Sequence, residues 1–129
     1  MNQYISDAWA FVEEAKTQFV KGKTENNAIL MRDACEKAWG AVVQAMSALF
    51  IGKDVSPLPK SHRDRRIKLR ELEAADPILG EKNFFDRFMA RDHILHERAF
   101  YDGDVIPEEI EAEFPKVEQF IRDVEEISQ

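Results

Sequence analysis

The sequence predicts an all-α fold, a five-helix antiparallel bundle, and three observations carry that expectation. Apolar residues recur at three- and four-residue intervals over long stretches, no stretch alternates apolar and polar with a period of two, and the helical patterns are separated by short Pro- or Gly-bearing breaks. With 129 residues, 44% hydrophobic and 33% charged, the chain fits one compact domain, 1–129, around a single core. No internal repeat or low-complexity segment interrupts it.

The first helix is predicted over residues 3–20, where Ile5, Ala8, Trp9, Val12, Ala15 and Phe19 form one apolar stripe, and it should end near Gly22. Thr24 is a plausible N-cap for a second, longer helix reaching about Phe50. That helix carries Ala34, Cys35, Ala38, Gly40, Ala41, Ala45, Ser47 and Ala48, so other helices can approach its backbone closely. Trp39, Val42, Val43, Met46 and Leu49 should fill the gaps, making it the central helix of the core. Prolines 57 and 59 predict an extended loop. A third helix is expected over roughly 60–75, with only Ile67, Leu69 and Leu72 as its apolar stripe. Asp76-Pro77 and Gly80 should break the chain before a fourth helix over about 81–101. The last helix starts near Pro107, with Glu108 and Glu109 at the positive end of its dipole and Ile110, Phe114, Val117, Ile121 and Val124 as its stripe. Pro115 removes the bond to the carbonyl of Glu111, which predicts a kink there.

A net charge of −7 argues against a general nucleic-acid coat protein, whose affinity comes from cations neutralising phosphates. The charge is unevenly spread, however. Residues 60–70, KSHRDRRIKLR, carry six Lys or Arg against one Asp, so this segment is +5 and the remainder −12. Arg63, Arg65, Arg66, Lys68 and Arg70 could line a phosphate backbone or an acidic partner, or simply form a solvated helix face. The single Cys35 sits on an apolar pattern and reads as a small core hydrophobe. No apolar run is long enough to span a membrane and the N-terminal residues lack the pattern of a secretion signal, so a cytoplasmic location is expected.

The candidate chemistry lies in RDHILH, residues 91–96. At about 100° per residue, Leu95, Phe88, Ala99, Phe85, Met89 and Phe100 share one arc of the fourth helix, and Asp92 and His96 fall inside it. A carboxylate and an imidazole on an apolar face must satisfy each other or a partner, since an unpaired buried polar group costs about 1 to 3 kcal/mol. Three readings compete. Asp92 and His96 could be a satisfied core or dimer-interface pair. His93 and His96 could contribute to a metal site, although two helical ligands alone do not make one and His62 is the remaining histidine. The third reading is a phosphodiester-processing site in which Arg91 stabilises phosphate charge, His96 exchanges protons near neutral pH and Asp92 orients the imidazole.

The pattern Arg91-Asp92-His93-Ile94-Leu95-His96 resembles the signature of the HEPN superfamily of small helical nucleotide- and RNA-associated domains. Arg87 to His93 is a second pair at a spacing that family tolerates. CEKAWGAVVQAMSAL and the subsequent LPKSHRDRRIKLRELE resemble more narrowly its archaeal PaREP branch, with similarity over roughly residues 5–125. The resemblance implies a homodimer whose motif helices face each other. Many members are metal-independent endoribonucleases that use no cofactor; others bind nucleotides or RNA without cleavage, or pair with a nucleotidyltransferase as toxin and antitoxin. In an enzyme of this kind His96 would move protons at a ribose 2′-OH or the leaving oxygen, Arg91 would bind the phosphate, and Asp92 would position one of them. Two departures stand out. Asp92 replaces the frequent asparagine, and Tyr101 lies five residues after His96 instead of two. The rival from another class is a non-catalytic dimeric interaction module, in which the cluster builds the subunit interface.

Overall fold

A computed structural model describes residues 2–128, and within them the regular structure is entirely helical. Helix α1, Gln3–Thr24, begins where the Asn2 side chain accepts the Tyr4 N–H at 2.7 Å. It outruns its expected end because Gly22 is not a terminator. A Cβ there would lie 2.9 Å from the Met31 side chain, so this glycine is the point where the next helix crosses closest. The reversal is made by Asn26, at φ 53, and α2, Ala28–Gly52, is capped by Asn27 instead of Thr24.

Lys37 reaches Glu14 and Gln18 while Gly22 meets Met31, which sets α1 and α2 antiparallel. The final helix, Pro107–Ser128 (α6), runs antiparallel to α1 through the pairs Trp9–Glu125, Lys16–Glu118, Phe19–Phe114 and Lys23–Glu111. Pro115 does not end it. Of the small residues of α2, Ala34, Cys35, Ala38, Ala41, Ala45 and Ala48 are buried and Gly40 and Ser47 partly so, with Trp39, Val42, Met46, Leu49 and Phe50 buried between them and Val43 half-buried. The stripes of α1 and α6 close over this helix, and burying each large side chain contributes about 1.5–3 kcal/mol. Burial lifts the Cys35 thiol to about 12, with Glu36 adding to the effect, so it stays protonated and inert at neutral pH.

The second half departs further from expectation. Helix α3, His62–Ala75, is capped by Ser61 and buries only Leu69. Pro77 then opens a short helix α4, Pro77–Lys82, that contains Gly80 instead of breaking at it. Asp76 caps α4 and holds Lys53 at 3.0 Å, which with a backbone N–H keeps its carboxyl below the usual carboxylate range. The predicted fourth helix is divided at Asn83, whose φ of 55 is left-handed. Beyond it, α5, Phe84–Arg91, continues without a break into a π-helical segment, Asp92–Tyr101. The described residues therefore form six α-helical segments and one π segment where five helices are predicted.

Arg91–Glu113, Arg87–Asp123 and the edge-on rings of Phe84 and Phe120 set α5 antiparallel to α6. Glu36–His96 and Arg32–Phe100 set the π segment antiparallel to α2. Arg32 satisfies the carbonyls left over at the π end, donating to Phe100 O at 2.6 and 3.0 Å and to Tyr101 O at 3.1 Å. Among the described residues no helix is long and apolar enough to cross a membrane.

Candidate functional site

The π segment decides which side chains meet. Bonds from i to i+5 bring residues five apart onto one face, where an α-helix would align residues three and four apart. The Asp102 N–H donates to Glu97 O at 3.0 Å in this register. His96 and Tyr101 are five apart, and their rings meet edge-on with centroids 5.0 Å apart. The spacing that departs from the family signature is thus the spacing this segment brings into contact.

His96 does not turn toward Asp92 for its hydrogen bond. Its Nδ1 lies 2.7 Å from Glu36 Oε1 on α2, with the imidazole 15% exposed and the carboxylate 33%. A second imidazole, His62 from the first turn of α3, lies 5.0 Å away between centroids at 47°. Buried Trp39 packs on both, at 5.7 Å from His62 and 5.8 Å from His96, and fixes their separation. The Arg65 guanidinium approaches His62 Nδ1 at 3.4 Å. Burial, and then Arg65, hold the His62 pKa below its ordinary value, so the ring is neutral at neutral pH. Burial also lowers the Arg65 value.

Asp92 is 5% exposed and faces His62, His96, Arg66 and Glu97. Its carboxyl is raised above the usual range, by burial first and by Glu97 second, against the pull of the two imidazoles and Arg66. Among the described residues its carboxylate forms no direct hydrogen bond or ion pair.

Arg91 belongs to a different neighbourhood. Its Nε donates to Glu113 Oε1 at 2.6 Å and its Nη2 approaches Oε2 at 3.5 Å, with the two side chains 7% and 2% exposed. Lys116 adds a second cation to Glu113 at 3.4 Å. Arg91 and Lys116 line a depression of about 520 Å³ with Arg87 and Asp123, whose ion pair measures 2.9 Å. The structure therefore does not bring Arg91 and His96 together within one chain: one turns to α6, the other to α2.

The basic segment divides in the same way. Arg65 faces His62, Arg66 acts on Asp92, Arg70 stacks over the Phe85 ring at 4.3 Å, Lys68 pairs with Glu71 at 2.9 Å, and Arg63 is exposed beside Asp64. His93 is on the outer face near Glu97, 3.4 Å away, apart from His96. Among the described residues no group of three or more His, Cys, Asp or Glu is placed to hold a metal ion. Glu36, His62 and Trp39 are the members that sequence reasoning missed. The available signal was Glu36 beside Cys35 and one helical turn before Trp39, a carboxylate on the edge of the most apolar helix.

Over residues 3–121 the chain matches the Archaeal PaREP1/PaREP8 family, and it belongs to that family. This is the branch that the second and third helices resemble, and the broader HEPN likeness is consistent with it. No curated protein and no solved structure matches the chain.

Proposed function

We propose that this chain is a HEPN-like domain, spanning 1–129 and working in the cytoplasm as a homodimer, that binds an RNA phosphodiester at the face formed by His96, Asp92, Arg65 and Arg66 and cleaves it without a metal ion. The observation that carries the reading is the Glu36–His96 pair. A carboxylate accepts only, so Nδ1 of His96 carries a hydrogen, and in the neutral form of the ring the lone pair lies on Nε2. That nitrogen is a base of suitable strength for a ribose 2′-OH. As it takes the proton, the 2′-oxygen bonds to phosphorus and the bond to the 5′-oxygen breaks. The departing 5′-oxygen takes the same proton back from the imidazolium, leaving a 2′,3′-cyclic phosphate and a 5′-OH with no co-reactant. Charge growing on the phosphate would be met by Arg65 and Arg66, with Arg63, Lys68 and Arg70 extending the positive surface along α3.

Arg91 has a different part in this reading from the one its motif position suggests. To reach a phosphate it would give up both of its bonds to the buried Glu113 carboxylate and leave that group to the exposed Lys116 alone, a costly exchange. We assign it to holding α5 on α6, which fixes the helix from which Asp92 and His96 project.

Incubation of the purified protein with end-labelled RNA in chelator tests the reading, with His96→Ala as the control. The expected result is cleavage by the wild type to cyclic-phosphate ends and none by the variant. RNA bound but never cut would favour the interaction module; neither binding nor cleavage would end the proposal.

A further inference from the structure

The two imidazoles that Trp39 holds are in opposite hydrogen-bonding states, and their immediate neighbours enforce the difference. An arginine has donors and no acceptor, so the nitrogen of His62 that Arg65 approaches, Nδ1, must be the accepting one. The ring is neutral, which puts its hydrogen on Nε2. Glu36 imposes the reverse on His96, whose Nδ1 donates to the carboxylate. Side by side, at 5.0 Å between centroids, the two rings in their neutral forms present one lone pair and one N–H at their Nε2 atoms. Both come from the same chain, from α3 and from the π segment, and His62 lies outside the Arg91–His96 pattern.

We propose that His62 is a second substrate-touching residue, its Nε2–H donating to a phosphate oxygen while Nε2 of His96 accepts the 2′-OH of the same nucleotide. This deepens the ribonuclease reading and rests on it. A ribose 2′-OH is a donor, and the phosphate oxygen next to it is an acceptor. The two rings match that pair in order and sign. Each charged or titratable group facing His62 has a place in the arrangement. Arg65 fixes the tautomer, Glu36 fixes the partner ring, and Asp92 acts electrostatically on both.

Two measurements on the full chain test it. The ¹⁵N shifts of the histidine side chains report which nitrogen bears hydrogen in the free protein; the expected result is Nε2–H for His62 and Nδ1–H for His96. Cleavage of labelled RNA in chelator is then compared among wild type, His62→Ala, His62→Asn and His62→Gln. A glutamine amide nitrogen reaches about where Nε2 lies, and an asparagine amide about where Nδ1 lies. His62→Gln should hold within about tenfold of the wild type, while His62→Ala and His62→Asn should fall about a hundredfold, the loss typical of one removed oxyanion donor. Equal rescue by Asn and Gln, the same tautomer on both rings, or full cleavage by His62→Ala would each overturn the role of His62 while leaving the ribonuclease reading intact. No cleavage by the wild type would instead overturn that reading, and the role of His62 with it.

Discussion

Arg91 and His96 stand five residues apart on one continuous helix, and each pairs with a glutamate from another helix, yet the two pairs are built for different ends. Arg91–Glu113 is nearly buried, doubly bonded and backed by Lys116. His96–Glu36 is made through one nitrogen, at the edge of the fold, with a third of the carboxylate in water. A sealed ion pair is costly to disturb and offers nothing to a ligand, whereas a half-open one keeps a nitrogen available. The comparison teaches that proximity in a motif does not assign a role. Which helix each side chain turns toward does: Arg91 turns to α6 and His96 to α2.

The largest effect that would sharpen this contrast is chemical. His96→Ala should lower RNA cleavage by about 10²–10⁴-fold, the range of a lost general base, and leave the thermal melt nearly unchanged. Glu113→Ala should do the opposite. It strands Arg91 in a 7% exposed position, so chemical denaturation should show about 3–5 kcal/mol less stability. If instead Glu113→Ala is mild and His96→Ala unfolds the chain, the two ends have been assigned the wrong way round.

Glu36→Gln sits between these extremes. Its amide oxygen still accepts the Nδ1–H, so the ring keeps its orientation but loses the charge that stabilises an imidazolium; cleavage should drop about tenfold, read as kcat rather than KM.

The smallest effect concerns Asp92, whose folded-state carboxyl binds its proton more tightly than the ordinary value of 3.8. The folded chain thus holds more protons than the unfolded one just above that value, so stability falls as pH rises through the folded pKa. At pH 7 the buried carboxyl of Asp92 is a burden, and Asp92→Asn should raise Tm by about 2 °C, an advantage that vanishes below about pH 3.8. His62 contributes with the opposite sign. Its depressed value makes stability fall as pH drops below the ordinary 6.5, so acid should destabilise the wild type more than His62→Gln.

The packing of the first half was legible in the sequence because it rests on periodicity. Ile5, Ala8, Val12, Ala15 and Phe19, and likewise Ile110, Phe114, Val117, Ile121 and Val124, repeat at helical spacing and are buried. The small residues of α2 announced close approach, and Gly40, with the Phe11 ring 3.1 Å from where its Cβ would be, confirms it. Local backbone detail was less legible. Thr24 and Asn27 are both good caps, and only the crossing at Gly22 decides between them. Asn83 carries no pattern that marks it as left-handed. The π segment has the same apolar spacing as an α-helix over two turns, so the meeting of His96 with Tyr101 could not be read. His96 was visible as an out-of-place polar group, but its partner Glu36 is sixty residues away and His62 was hidden in a run read for its charge. Periodicity places a side chain on a face; what faces it is a tertiary fact.

The most direct test is a side-chain NMR titration of the three histidines with an RNA oligonucleotide blocked at its 2′-hydroxyls. The account predicts that the His62 and His96 ring signals move together on addition while His93, exposed on the outer face, stays where it is. Unmoved His62 and His96 signals, with RNA demonstrably bound elsewhere on the chain, would contradict it.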